Sequence, residues 1–131
     1  MIGRAINARL KADTAVNAIV AGRIYPHMAA GVYPAVVYSE DTAEYPRHYT
    51  GSDGFTRTTV EVGCLARSYG AAIDLANAVR ASLDGKAGTW GGVTVQGCFV
   101  QDETDDIIRD PAVAENKFYL RQQSYLVIYR Q

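Results

Sequence analysis

The sequence lacks the features that identify membrane, secreted and general nucleic-acid-binding proteins. No run of about 18 apolar residues occurs, so the sequence predicts no transmembrane helix. The segment from Met1 to Asp13 is too polar for a signal peptide. The formal net charge of −1 lacks the basic excess of a general nucleic-acid binder, although a local basic patch is compatible with it. A length of 131 residues favours a single domain that buries its own core.

Cysteine and histidine are scarce, and each occurs twice. Cys64 and Cys98 both lie in predicted strands. This placement favours small buried side chains in a reducing compartment over a disulfide or a reactive thiol. His27 and His48 lie in predicted loops and form no metal-binding spacing, so we interpret them as ordinary surface histidines.

Sequence signatures of catalysis are absent too. The chain contains no nucleophile elbow, no Walker A loop and no dinucleotide-binding glycine motif. The glycines between Gly85 and Gly92 follow a predicted helix rather than precede one, so they predict a turn and not a phosphate site. We therefore predict no catalytic residues, no cofactor and no metal site.

The acidic run that starts at Asp102 resembles a calcium loop only superficially. Asp102, Thr104 and Asp106 have the spacing of EF-hand ligands, but Ile107 and Val113 stand where that loop needs glycine and glutamate. A solvated acidic strand end is the better interpretation. In functional terms it predicts a negatively charged surface that repels DNA phosphate.

The clearest structural signal is a strand followed by a helix between residues 58 and 85. Ser68 stands between the two, at the position of a helix N-cap, and Gly85 stands where a helix ends. Apolar residues alternate along the strand and recur at helical spacing afterwards; they are Val60, Val62, Cys64 and Ala66, then Ala72, Ile73, Ala76, Val79 and Leu83. This unit predicts the core of the fold.

Weaker patterns predict the remaining elements. Two short helices are predicted before Gly22, the second capped by Asp13, and strands are predicted near 35–38, after Val93 and over 117–130. Segments 86–92 and 107–116 are predicted to be a turn and an irregular connection. The predicted fold class is α+β, a single domain over 1–131 with about four strands in a mainly antiparallel sheet and two to three helices packed on one face.

Two segments predict contacts with other molecules. The last strand is apolar on both faces: Phe118, Leu120, Leu126 and Ile128 share one parity, and Tyr119, Tyr125, Val127 and Tyr129 share the other. Helices can cover one face, so the second face favours another subunit as its cover, with the tyrosines on the outside. The alternative is that the tyrosines lie partly exposed with hydroxyls in water. Residues 39–54 predict a long hairpin arm or loop, which at this length is usually functional or mobile.

A series of packing and turn segments extends over nearly the whole chain. The segments are Ala12-Asp13-Thr14-Ala15-Val16, Gly22-Arg23-Ile24-Tyr25-Pro26, Tyr33-Pro34-Ala35-Val36-Val37-Tyr38, Thr50-Gly51, Val60-Glu61-Val62, the Tyr69 to Leu83 helix, and Tyr125-Leu126-Val127-Ile128-Tyr129-Arg130. In this order they resemble the tail-completion, or tail-terminator-like, family of long-tailed bacteriophages and prophages.

The resemblance implies a structural virion protein without catalytic residues or cofactors. Members are small α+β proteins that form rings, typically hexamers, at the head-proximal end of the tail tube. There they stop tube growth and help to join the tail to the head, while DNA passes through without specific binding. The implied partners are further copies of the chain, the tail tube protein and head–tail connector proteins. The implied location is the head–tail junction of the virion tail, after synthesis in the cytoplasm of the bacterial host.

Two groups of candidate interaction residues follow from this resemblance together with the arm and the last strand. The first group is Glu40, Asp41, Glu44, Tyr45, Arg47, His48, Tyr49, Asp53, Tyr119, Arg121, Tyr125 and Tyr129. The second is an acidic patch that faces solvent or a ring lumen, and it consists of Asp102, Glu103, Asp105 and Asp106.

Three alternatives compete with the tail-terminator hypothesis. The chain can be another head–tail connector protein, which shares the size and the ring habit. It can be a small binding module unrelated to phage. It can also be a small enzyme that uses His27, His48, Tyr49 and Asp53 as acid and base, provided that these side chains converge in one pocket.

Overall fold

The computed structural model describes most of the chain. It covers residues 2–26, 34–44, 47–48, 51–52, 56–109 and 117–130, with the backbone alone for 41–44, 47–48, 51–52 and 108–109. Three helices and eight strands lie in these ranges: α1 (Ile2–Ala12), α2 (Thr14–Val20), β1 (Ile24–Pro26), β2 (Ala35–Glu44), β3 (Arg47–His48), β4 (Gly51–Ser52), β5 (Thr56–Ala66), α3 (Tyr69–Leu83), β6 (Lys86–Trp90), β7 (Val93–Arg109) and β8 (Lys117–Arg130).

Six of the strands form one mixed sheet in the order β1-β2-β5-β8-β7-β6. Only β1 and β2 pair in parallel, and the other neighbours are antiparallel. The predicted α+β class is confirmed, but the predicted strand number was too low. The glycine-rich segment predicted as a turn contains β6, and β1 has just three residues, too few for a periodic signal. The strand predicted after Val93 also extends further, to Arg109.

Local capping determines where the helices begin. Ser68 Oγ accepts a hydrogen bond from the N–H of Ala71 and starts α3, as the sequence predicts. Asp13 Oδ1 accepts from the N–H groups of Ala15 and Val16 and starts α2. No helix in the described part of the chain has the length and apolar character of a membrane span.

The helices cover one face of the sheet and form the core with it. α3 packs on β5, β7 and β8, and α1 packs on β1, β2 and β6. The sheet side of this core is Val36, Val60, Val62, Cys64, Trp90, Val93, Val95, Cys98, Tyr125, Val127 and Tyr129, all buried. The predicted burial of both cysteines is confirmed, and both are free.

The opposite face of the sheet has no helix packed on it in the part of the chain that the structure describes. Directly opposed residues of antiparallel strands share a face. The registers therefore assign to this face Ala35, Val37, Ser39, Arg57, Thr59, Glu61, Gly63, Leu65, Thr94, Gly97, Phe99, Asp102, Thr104, Asp106, Phe118, Leu120, Gln122, Ser124, Leu126, Ile128 and Arg130. We call it the open face.

Leu75, on the buried side of α3, tests the packing of this helix on the sheet. Leu75 is fully buried, so we expect Leu75→Ala to lower the free energy of unfolding by about 2–5 kcal/mol through lost contacts and a residual cavity. The matched control is Asn77→Ala on the exposed side of the same helix, expected within about 0.5 kcal/mol of the unsubstituted protein. Urea denaturation measures both. Equal unfolding midpoints for the two variants would contradict this packing.

Candidate assembly surfaces

The open face carries an apolar area near the end of β8. Phe99 lies opposite Leu126 in the β7–β8 register, and Ile128 follows on the same face. The Phe99 ring lies across Gly97, where an added Cβ would approach ring atom Cε2 to 2.6 Å. Phe99 is nevertheless 48% exposed, because nothing described packs on its outer side. A large aromatic ring lying on an uncovered sheet is typical of a contact surface.

A second apolar area lies further along the same face. Gly63 leaves a shallow depression of about 180 Å³ that Val37, Leu120 and neighbouring polar side chains line. A Cβ at Gly63 would lie 3.0 Å from both the Leu120 Cδ1 and the Val37 Cγ2 atoms. The glycine thus lets the two apolar side chains approach one another over the strand. Leu65, at the same end of the face, is buried.

A polar strip separates the two apolar areas. Glu61 accepts hydrogen bonds from Gln122 Nε2 at 2.9 Å and from Ser124 Oγ at 3.2 Å. These three side chains satisfy one another on the sheet surface. A molecule that covers the open face can therefore contact the apolar side chains on either side of this strip while the hydrogen bonds among Glu61, Gln122 and Ser124 remain intact.

On the helix-covered face, a charged cluster around Arg121 connects the first residues of β8 with β7. Arg121 donates to the Oε2 atom of Glu103 through Nη2 and to Oδ1 of Asp105 at 2.7 Å through Nη1. Arg80 of α3 lies 3.8 Å from Glu103 Oε1, and Tyr69 donates its hydroxyl to Asp105 Oδ2 at 2.9 Å. We call these five residues the arginine cluster.

The arginine cluster keeps its carboxylates ionised. Burial raises the pKa of Glu103, but the hydrogen bonds from Arg121 and Gln123 outweigh it and hold that pKa below its usual value. The hydrogen bonds from Arg121 and then Tyr69 lower the pKa of Asp105. The hydrogen bonds that Arg121 donates to Asp105 and then to Glu103 raise the pKa of Arg121.

The cluster continues into the core through Gln123. This buried side chain donates to the carbonyl of Ala76 in α3 at 3.0 Å and to Glu103 Oε1 at 2.9 Å. Tyr125 donates its hydroxyl to Gln123 Oε1 at 2.7 Å. A buried amide costs free energy unless it is hydrogen-bonded, so these bonds fix the position of α3 on the sheet.

The predicted acidic patch is divided between the two faces of the sheet. Glu103 and Asp105 point to the helix-covered face and pair with Arg121, whereas Asp102 and Asp106 lie on the open face. The alternation of side chains along β7 causes this division, since a run of acids in a strand cannot form one surface. Asp102 and Asp106 are exposed.

The predicted outer tyrosine face is incorrect for two of its residues. Tyr125 and Tyr129 are 0% and 2% exposed and pack in the core under the helices. They pair with Val60 and Thr56 of β5, which belong to the helix-covered parity. The uncovered parity is therefore the one with Leu120, Leu126 and Ile128. Tyr119 is half-buried and stacks edge-on against Tyr69 with ring centroids 6.0 Å apart.

The arm residues are described mainly through their backbone. β2 pairs with β5 as far as Glu44 opposite Arg57, and Arg47 pairs with Ser52 in a small second sheet. Glu40 accepts a hydrogen bond from the N–H of Gly3, so this predicted interaction residue stabilises the start of α1. The side chains of Asp41, Glu44, Arg47 and His48, and the residues Tyr45, Tyr49 and Asp53, lie outside the described part.

No arrangement for chemistry is found among the described side chains. No group of three or more His, Cys, Asp and Glu residues within the described ranges is placed to hold a metal ion. Burial raises the pKa of the Cys64 thiol and raises that of Cys98 to about 12, which opposes thiolate formation. His27, Tyr49 and Asp53, needed for the enzyme alternative, are outside the described residues, as is the side chain of His48.

Removal of Arg121 tests the cluster through its pH dependence. A carboxyl with a depressed pKa stabilises the fold above its ordinary pKa of 4.5, and that stability is lost as the pH falls through the lower, folded value. We expect Arg121→Ala to cost about 1–2 kcal/mol at pH 7, and we expect the cost to shrink below about pH 4.5. Urea denaturation across this pH range measures it, with exposed Lys11→Ala as the control. A cost that is the same at every pH would contradict the pairing.

Comparison with known proteins places this geometry in a family. The family model described as tail completion protein gp17 matches residues 4–122. A solved structure described as the virion of a native gene transfer agent particle contains a chain with the same fold, at a TM-score of 0.67 and 17% identity, over 99% of this chain and 95% of that chain. No curated protein sequence matches. The predicted resemblance is confirmed: the chain belongs to the family of tail completion protein gp17, and it is a virion tail assembly protein.

Proposed function

We propose that this chain is the subunit of a ring at the head-proximal end of the tail tube. In this role it stops polymerisation of the tube and helps to join the tail to the head. Its partners are further copies of itself, six to a ring as the family resemblance implies, together with the tail tube protein and head–tail connector proteins. DNA passes through the ring without specific binding, and the assembled protein is located at the head–tail junction.

The observation that carries the proposal is the open face. One side of the sheet is buried under α1 and α3, whereas the other presents Phe99, Leu126 and Ile128 with no helix packed on it in the described part of the chain. An antiparallel sheet can leave one face in water when that face is polar. Here it carries the exposed Phe99 ring beside Leu126 and Ile128, and a neighbouring subunit supplies the missing cover.

The electrostatics agree with a channel through which DNA moves. The net charge of the chain is −1, so the chain lacks the basic excess by which proteins hold DNA. A ring of such subunits does not attract phosphate strongly. The main alternative role, another head–tail connector protein, shares these features and differs in the proteins that it contacts.

A charge on the apolar area tests the role of the open face. We expect Phe99→Lys to keep the fold, because the side chain is half exposed, and to reduce intact particles at least about tenfold, because a buried lysine at a subunit contact costs more than the roughly 1.4 kcal/mol that a tenfold change requires. The control is Asn77→Lys on the exposed side of α3. Particle titre and electron microscopy of tails measure the outcome. Equal titres for the two variants would argue against the open face as a subunit contact.

Replacement of the residues that follow β2 tests the part of the arm in assembly. Residues 45–53 are replaced by a glycine–serine linker of equal length, so that β2 and β5 stay connected and paired. We expect the protein to keep its thermal unfolding temperature to within a few degrees, because the pairing of β2 with β5 is retained, and we expect particles with tails of normal length to be lost. A normal number of particles with tails of normal length would contradict a role of the arm in assembly.

A further inference from the structure

The distal half of β7 forms a long unpaired sheet edge. β6 pairs with β7 only between Val93 and Cys98. The N–H of Val100 is then bonded by Asp84 Oδ1 at 3.0 Å. Beyond it, residues 101–109 pair with β8 on one side, and no described strand pairs with them on the other. A free edge of this length is a template for an added strand.

The register identifies the backbone groups on this edge. Val100 directs its N–H away from β8 and lies opposite Tyr125; Glu103 lies opposite Gln123, two residues further along β8. Orientation alternates along a strand, so Glu103, Asp105 and Ile107 also direct their N–H and C=O groups outward. The N–H of Ile107 agrees with this assignment, because it donates to Asp106 Oδ1 at 2.8 Å.

On the helix-covered side, an apolar notch borders the edge. Tyr69 and Ile107 are 51% and 44% exposed, and with Tyr119 and two aspartates they line a depression of about 350 Å³. The edge-on contact of Tyr69 with Tyr119 holds the rings in place. Two of the three large apolar side chains described as exposed therefore lie at one point of this edge, where a strand laid along β7 would cover them.

The other side of the edge is acidic. Asp102 and Asp106 point to the open face, and no described cation pairs with either of them, whereas Arg121 neutralises Glu103 and Asp105 on the helix-covered side. A strand next to β7 would alternate its side chains in the same way. Its residues on the notch side meet apolar groups, and its residues on the open side meet two carboxylates.

We propose that the outer edge of β7, from residue 101 to residue 109, binds an extended segment of another virion protein as an added strand. The segment alternates apolar and cationic side chains, with the apolar ones in the notch of Tyr69, Ile107 and Tyr119 and the cationic ones beside Asp102 and Asp106. Before assembly, the N–H of Ile107 donates to the Asp106 carboxylate and is not available to another strand. A cationic side chain on the added strand then pairs with this carboxylate, and the N–H of Ile107 bonds the added strand instead. The proposal rests on the proposed function in that it needs the chain to assemble with other virion proteins.

Cross-linking in assembled particles tests where the segment lies. The photoreactive residue p-benzoylphenylalanine replaces Ile107 in one variant and the exposed Asp74 of α3 in the control, and mass spectrometry identifies the linked peptide. We expect position 107 alone to link to a peptide of another virion protein, with basic and apolar residues alternating. A linked peptide without basic residues, or a lack of any link at 107 in particles that contain the variant, overturns the proposal.

A proline variant tests the backbone pairing itself. Ile107→Pro removes an outward N–H and no bond to β8, so we expect the fold to persist and incorporation into particles to fall at least about tenfold. Ile107→Val keeps the N–H and the apolar character and serves as the control. If Ile107→Pro unfolds the protein, the charge reversal of Asp102→Lys with Asp106→Lys, at exposed positions, gives the same readout.

The outcomes separate this proposal from the proposed function. Wild-type chain that is absent from purified particles contradicts the proposed function. Wild-type chain that is present in particles, together with folded Ile107→Pro or charge-reversed chain at wild-type amounts, contradicts only the pairing at the β7 edge. Loss of both variants with retention of Ile107→Val supports it.

Discussion

The structure depends on the pairing of β8 along both of its sides. β8 lies between β5 and β7, and one face of it lies under α3. Its residues Tyr125, Val127 and Tyr129 are buried against the helices, and the side chain of Gln123 donates a hydrogen bond to the Ala76 carbonyl of α3. With β8 fixed in this way, the opposite side chains of the same strand must face outward. The position of β8 therefore determines both the core and the open face, and a change in one face of the strand changes the other.

Local signals predict most of the helical part of the fold. Asp13 and Ser68 are short polar side chains followed by helical spacing, and each accepts N–H bonds at the helix start where the sequence places it. The alternation of Val60, Val62 and Cys64 predicts the buried face of β5 correctly. Signals of this kind depend only on neighbours a few residues apart in the chain, and the sequence alone contains them.

Non-local pairing determines what the sequence does not predict. Both sets of alternate residues in β8 are apolar, so the sequence pattern does not indicate whether Tyr125 or Leu126 lies in the core. The register with β5 determines it, because Tyr125 lies opposite the buried Val60. Arg121 finds Glu103 and Asp105 across a hairpin, 18 and 16 residues away, and no spacing rule connects them. Phe99 and Ile107 were not among the predicted contact residues for the same reason. Phe99 is exposed because no described element packs on its side of the open face, and Ile107 is exposed because β6 pairs with β7 only as far as Cys98 and no described strand continues along that edge.

The register shift in β7 between Val100 and Asp102 has a consequence for how the chain tolerates change in length. Val100 and Asp102 lie opposite Tyr125 and Ser124, which are neighbours on β8, so Gln101 is an extra residue of β7 at this bulge. If Gln101 were lost, Asp102 would directly follow Val100, and every later residue would keep its partner on β8 and its side of the sheet. If Thr104 were lost instead and the pairing before it kept, Asp105 and Ile107 would turn to the open face, away from Arg121 and Tyr69. The strand therefore tolerates the loss of a residue at the bulge, whereas the number of residues after the bulge is constrained.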